Sequence, residues 1–332
     1  MTIPSDKHLL APALRPGDLV RAVSPSSTIA GMEAEMRSAA QAFGERLDVR
    51  VEFAEHAFAT HHYSAGTPAE RADDFMAAFA DPDVAAVVLS MGGATAIDVL
   101  DLLDYDTIAA NPKILTGISD STTVLQAVTA RTGLVTFHGI ELYDYSLDPM
   151  PYTTANALNV WRDGWHGPWP ENPAWRELNG ETTTYTHRRT IRGGTATGPL
   201  AGGNSEAVTQ LIGTPYEPDV DGAILVLETY RLHKRHIHAL LVSLRQRGWF
   251  HRASGLVLGY LLGSEADRPG DDRDLADLVT EVTAGVPDLP VAQIGEIGHQ
   301  VENLVLPLGA TAHLDAAGPV PGLTLTGPAV QV

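Results

Sequence analysis

The run Val84-Ala85-Ala86-Val87-Val88-Leu89 has no polar residue to turn toward water. A strand with one solvated face alternates apolar and polar side chains. A strand that is apolar throughout belongs in a parallel sheet covered on both faces. That cover has to come from helices, and the flanking sequence supplies them. Residues 68–80 read as a helix with Phe75 and Phe79 one turn apart, stopped by Asp81-Pro82-Asp83. After the run come Ser90-Met91-Gly92-Gly93-Ala94 and a further helical stretch through Ile97, Leu100 and Leu103.

The same alternation extends on both sides. Leu19–Val23 is a short strand after the turn signal Arg15-Pro16-Gly17-Asp18, and it ends in the polar loop Ser24-Pro25-Ser26-Ser27. Met32, Met36, Ala40, Phe43 and Leu47 recur every three or four residues, which predicts an amphipathic helix over 31–46. Val49–Phe53, the segment before Ser119 and Leu134–Phe137 are further strands. Strand and helix in turn over 1–150 predict an α/β domain with a doubly wound, flavodoxin-like parallel sheet. Ligands of such sheets collect at the C-terminal ends of the strands, where Ser90, Gly92, Gly93 and Ser119 all fall.

Residues 151–192 read as a connector with some helix near 153–163. It holds Pro151, Pro168, Pro170 and Pro173, and Trp161, Trp165, Trp169 and Trp175. Those tryptophans suit packing between domains or stacking on a flat substrate. From 193 to 332 short strands with frequent turns predict a mixed, β-rich C-terminal domain. Its strands are Thr195–Ala201, Ala223–Leu227, Leu256–Leu261 and Val291–Ile297, and a helix spans 233–247.

Charge and cysteine content exclude several functions. The formal net charge is −19 over 332 residues, which repels phosphate backbones and argues against nucleic acid or an anionic membrane as a partner. Without cysteine there is no thiol chemistry and no thiolate metal site. His233 and His236 share a helix face but lack an acidic partner, so no metal and no cofactor is expected. Arg188, Arg189 and Arg192 form a basic cluster suited either to a carboxylate or phosphate or to a solvated linker. No apolar run is long enough to span a bilayer, and Met1–Leu19 lacks the pattern of a signal peptide, so a cytoplasmic protein is expected.

The candidate chemistry centres on Gly117-Ile118-Ser119-Asp120-Ser121-Thr122. Strand, tight turn, serine and helix together present a hydroxyl at the mouth of an open sheet. The same Ser, Asp, Ser and Thr also make good helix N-caps. Glu228 closes an apolar strand, and His299 follows Gln293-Ile294-Gly295-Glu296-Ile297-Gly298. Each has a plain reading, as a solvated strand end and as a surface histidine. Together they complete the order Ser, Glu, His at three strand exits, and such triads are defined by geometry rather than chain order. Glycine at 92 and 93 permits close approach of backbone N–H groups to a developing oxyanion, with the Asp120 amide as the second donor.

These residues and several others resemble one family. Pro25-Ser26-Ser27, Gly92-Gly93, Leu103-Asp104-Tyr105-Asp106, Asn111-Pro112-Lys113, Gly117-Ile118-Ser119-Asp120, Thr136-Phe137-His138-Gly139, Gly202-Gly203-Asn204, Leu227-Glu228 and Gly298-His299 occur in the order found in the LD-carboxypeptidases and microcin C immunity proteins, a serine peptidase family. The resemblance implies Ser119 as nucleophile, His299 as general base and Glu228 as its orienting acid. It implies an oxyanion site from the Gly93 and Asp120 amides, substrate contacts from Ser90, Gly92 and Asn204, a small-molecule or peptide substrate, and a homodimer. Gly248-Trp249-Phe250-His251-Arg252 and the stretch after it look like the immunity branch, which cleaves the amide between an aminoacyl or peptidyl group and a modified nucleotide. The alternatives are a muropeptide carboxypeptidase removing a terminal D-alanine and, in another class, a non-catalytic ligand-binding protein. Ile118, where an aromatic is usual, and Ile140, where a proline is usual, depart from the pattern.

Overall fold

The computed structural model describes residues 8–146, 150–178, 188–264 and 273–332. Its first sheet has six strands in the order Leu306–Leu308, Thr136–His138, Ile114–Gly117, Val84–Leu89, Leu19–Val23 and Arg50–Phe53. The five strands from the first part of the chain are all parallel. Their order is the flavodoxin-like one, and the chain reverses direction across the sheet between Leu19–Val23 and Val84–Leu89. The sixth strand, Leu306–Leu308, comes from the far end of the chain and pairs antiparallel with Thr136–His138. Ala11 and Val330 also pair, so both ends of the chain close on the first domain.

Local sequence explains the covering helices. Pro68–Ala80 begins with Thr67, whose hydroxyl accepts from the Glu70 amide while Glu70 reaches back to the Thr67 amide, and Pro68 occupies the first turn, where no N–H is needed. Glu33–Leu47 buries Met36, Ala39, Ala40, Phe43 and Leu47. Thr122–Thr132 buries its first seven residues and ends at Gly133 in the left-handed conformation.

The second sheet has eight strands, in the order Gly167–Pro168, Gly322–Leu325, Thr311–Asp315, Thr195–Asn204, Ile224–Thr229, Gly255–Leu261, Val291–Ile294 and Arg188–Arg192. Four central strands are parallel and the outer ones antiparallel. One face packs into an apolar core shared with the first sheet, which includes Leu200, Ile224 and Val257 from one sheet and Phe137 and Leu306 from the other. The other face is covered by the helices Lys234–Gln246 and Leu275–Val282.

The segment read as a connector supplies both edges of this sheet, Gly167–Pro168 and Arg188–Arg192; residues 179–187 lie outside the described part. The arginine cluster is not a solvated linker but an edge strand whose side chains bond within the protein. Arg188 is buried against the carboxylate of Glu296 at 3.0 Å. Arg189 donates to Gln293 and Asp274, and Arg192 donates to the Val286 and Leu289 carbonyls and to Thr283. All three fix an edge strand in place. Among the described residues no helix is long and apolar enough to cross a membrane.

Candidate active site

Ser119 stands two residues after the end of the buried strand Ile114–Gly117 and opens a single 3₁₀ turn that feeds the helix Thr122–Thr132. Its φ is +64°, a left-handed conformation unusual for a residue with a Cβ. The chain reverses sharply there, and the side chain is held at the sheet's C-terminal edge. Neither the 3₁₀ turn nor the following helix receives a side-chain cap. Capping therefore does not explain the serine; a strained turn of this kind persists only when its surroundings impose it.

Gly92 is one such surrounding. A Cβ at Gly92 would lie 2.5 Å from the Ser119 Cβ and 2.7 Å from its Oγ, so only glycine lets the loop after Val84–Leu89 approach the serine this closely. Gly93 has φ +154° and abuts the Ser26 and Ser27 hydroxyls. The side chain of Asp120 faces inward. Its Oδ2 accepts from Ser26 Oγ at 2.6 Å and from the Ala96 amide at 2.8 Å. The elbow is thereby latched to the two loops at the reversal point of the sheet, a contact for which the sequence carries no local signal.

Glu228 and His299 come from the second sheet. Glu228 lies within the strand Ile224–Thr229, one residue from its end, with no exposed surface. It is therefore not a solvated strand end. His299 Nδ1 donates to Glu228 Oε2 at 2.7 Å, and His299 Nε2 is buried without a partner among the described residues. The Tyr230 ring packs on the imidazole, with centroids 4.8 Å apart. The histidine loop is held from behind by Asn303, which accepts from the Gly298 amide, and by the buried Glu296 on Arg188.

The two sheets meet immediately behind Ser119. Thr122 Oγ1 accepts from the Asn204 amide at 3.2 Å, and Gln126 Nε2 donates to the Gly202 carbonyl at 2.7 Å. Asn204 is the register partner of Glu228. Its own Oδ1 caps the helix Ser205–Gln210 by accepting from the Ala207 amide. Ser90 Oγ is buried and without a partner among the described residues. These bonds bring the strands that carry Asn204 and Glu228 up to the helix that follows Ser119.

Electrostatics follow from burial. Burial disfavours the charge on both Glu228 and His299, but each stabilises the other: Glu228 is held below the usual carboxylate range and His299 above its ordinary 6.5. Around them lie carboxyls that motif spacing did not single out. Burial lifts Asp144 to about 6 and Glu206 to about 7, and it raises Glu141 well above the usual range. Burial also pushes His138 down to about 4. Among the described residues no group of three or more His, Asp or Glu side chains is arranged to hold a metal ion.

The profile of the LD-carboxypeptidase N-terminal domain matches residues 20–139, and that of the LD-carboxypeptidase C-terminal domain matches residues 197–314. The chain belongs to the LD-carboxypeptidase family of serine peptidases. It is 30% identical to the microcin C7 self-immunity protein MccF of Escherichia coli over 277 residues, which cover 77% of this chain and 78% of that one. It is 29% identical to a probable murein peptide carboxypeptidase of Bacillus subtilis, covering 92% and 91% of the two chains. Among solved structures, MccF in an inactive mutant apo state superposes with a TM-score of 0.88 at 26% identity, covering 97% of this chain and all of that one. MccF in complex with aspartyl sulfamoyl adenosine superposes with a TM-score of 0.87, also at 26% identity. The family and the fold that the sequence motifs implied are thus both found.

Proposed function

We propose that this LD-carboxypeptidase family member is a hydrolase in which Ser119, His299 and Glu228 act as a triad. The relationship that carries the reading is the Glu228–His299 contact at 2.7 Å, which leaves the buried Nε2 free to take a proton. Nε2 removes the Ser119 proton as Oγ attacks the scissile carbonyl. The Gly93 and Asp120 amides stabilise the oxyanion, each worth a factor on the order of 10²–10³. The proton then passes from His299 to the leaving nitrogen, and the C–N bond breaks to give an acyl-enzyme. Water, deprotonated by His299 Nε2, then attacks the acyl carbon; the C–Oγ bond breaks, the acid leaves, and the proton returns from Nε2 to Ser119 Oγ. Ser90, Gly92 and Asn204 line the substrate side, and the working unit is a cytoplasmic homodimer.

For the substrate we infer an aminoacyl or peptidyl group joined by an amide to a modified nucleotide. The likeness to MccF over nearly the whole chain supports this reading, including MccF bound to an aminoacyl sulfamoyl nucleoside. A muropeptide tetrapeptide is the second reading, supported by the similarity to the probable murein peptide carboxypeptidase. The two separate in one experiment. Wild type and Ser119→Ala are each given aspartyl sulfamoyl adenosine and, in parallel, a muramyl tetrapeptide. Serine-dependent release of sulfamoyl adenosine supports the first reading and release of D-alanine the second. Equal rates for wild type and Ser119→Ala on both substrates overturn the hydrolase and leave the ligand-binding class.

A further inference from the structure

Arg71 lies in the first turn of the helix Pro68–Ala80, away from the triad, and is only 1% exposed. A buried guanidinium is costly unless its donors are met. Four hydrogen bonds meet those of its two Nη atoms, while Nε is buried without a partner among the described residues. Nη1 donates to the Pro25 carbonyl at 2.8 Å, the Thr95 carbonyl at 3.0 Å and Thr95 Oγ1 at 2.8 Å. Nη2 donates to Asp98 Oδ2 at 3.2 Å. The single carboxylate it meets is 48% exposed, so this is not a closed buried ion pair. Three of the four bonds go instead to two irregular loops.

Those loops are the ones that bracket Gly93. Pro25 immediately precedes Ser26 and Ser27, whose hydroxyls press on Gly93. Thr95 lies two residues after Gly93, and its amide donates to Ser26 Oγ at 3.2 Å. Ser26 Oγ donates in turn to Asp120 Oδ2, and the Ala96 amide donates to the same oxygen. One cation thus ties together the loop after Leu19–Val23, the loop after Val84–Leu89 and, through Ser26, the residue beside Ser119. A planar fork with several donors reaches two loops at once; an ammonium on a flexible stem does not hold that geometry.

We propose that Arg71 is a positioning residue for the reaction: its buried guanidinium clamps the loops on either side of Gly93 and so fixes the oxyanion donors against Ser119. This rests on the reading of Ser119 as nucleophile. Arg71 touches neither substrate nor reacting atoms. Its effect falls on the transition state, because only there does the oxyanion meet those donors.

The test uses a fluorophosphonate, which reports a serine nucleophile and its oxyanion site without knowledge of the substrate. The full-length chain is labelled as wild type, Ser119→Ala, Arg71→Lys, Arg71→Met and Thr95→Val. The final extent of labelling counts competent sites, and the rate constant reads each site's reactivity. The expected rate constants fall about tenfold in Arg71→Lys and about 100-fold in Arg71→Met, since ångström-scale misplacement costs on the order of 10². The expected extent stays near one label per chain. Thr95→Val removes one Arg71 acceptor and falls severalfold in the same direction, which provides a readout if the Arg71 variants do not fold. On whichever substrate the wild type turns over, kcat falls in parallel while KM moves less than about threefold. A loss of labelled fraction at unchanged rate constant makes Arg71 merely structural and overturns the proposal, as does a wild-type rate in Arg71→Met. A wild type labelled no faster than Ser119→Ala removes the nucleophile reading itself, and the proposal with it.

Discussion

The imidazole of His299 is held by the fully buried carboxylate of Glu228 at 2.7 Å through Nδ1, while Nε2 stays free of partners among the described residues. The contact fixes both the tautomer and the charge preference of the ring. Burial alone would lower the histidine pKa, but Glu228 and the more distant Asp144 and Glu206 outweigh it and raise it above 6.5. A general base works only when neutral, so kcat/KM should rise with pH through a single ionisation above 6.5. In Glu228→Gln the charge that raises the pKa is gone while burial remains. The acid limb should therefore move to lower pH, and the plateau should drop by a factor on the order of 10² or more as orientation is lost. A pH–rate profile of both proteins checks this; an unmoved limb would show that Glu228 does not set the histidine's protonation.

Ser119 carries its strain in the backbone, at φ +64°. For a residue with a Cβ this conformation costs roughly 1–2 kcal/mol. Ser119→Gly should relieve it, and Ser119→Ala should not. Both lose hydrolysis. The glycine variant should exceed the alanine variant by about 1 kcal/mol in urea unfolding, the gain being trimmed by glycine's larger chain entropy. Equal stabilities would mean that the turn holds no strain.

The approach of Gly92 to Ser119 leaves no space for a methyl group. Gly92→Ala should therefore push the Ser119 side chain or the loop aside while the core beneath stays intact. The expected result is a fall in kcat/KM on the order of 10², with destabilisation of about 1–3 kcal/mol from overpacking. Activity kinetics and a thermal melt on the same preparation check it. An alanine variant with wild-type activity would show that the loop is free to move away from the serine.

Much of this arrangement was legible in the chain, for reasons that differ by element. Val84–Leu89 has only apolar side chains, so its place in a parallel sheet follows from composition. The bounds of Pro68–Ala80 follow from Thr67-Pro68 and from Asp81-Pro82, whose effects are local. Ser119, Glu228 and His299 stand out as candidates because motif order carries them, although no spacing rule links residues so far apart. The strand Leu306–Leu308 crossing to the first sheet was not legible, because its partner Thr136–His138 is chosen by the tertiary fold. Arg188 looked like a surface cation for the same reason: its carboxylate, Glu296, lies on a distant segment. Arg71 sits among polar neighbours on an ordinary amphipathic helix, and its buried role exists only once two loops converge on it.

His138 gives a consequence for stability rather than rate. It lies in the strand Thr136–His138, has no exposed surface, and neither ring nitrogen has a hydrogen-bond partner among the described residues. Burial holds its pKa at about 4, whereas in the unfolded chain it titrates near 6.5. Between those values the unfolded chain takes up a proton that the folded chain refuses. Stability must then fall as pH drops from about 6.5 toward 4, by about 1.4 kcal/mol per unit and about 3 kcal/mol in all. The raised carboxyls Asp144 and Glu206 act in the opposite direction, because they bind protons more readily when folded. A comparison with His138→Gln separates these effects, since the variant keeps the carboxyls and loses only the buried imidazole. Urea unfolding at pH 7 and pH 4 should show the wild type losing about 3 kcal/mol more than the variant over that interval. Parallel losses in the two proteins would mean that His138 charges within the fold, and that a proton-accepting partner reaches it there.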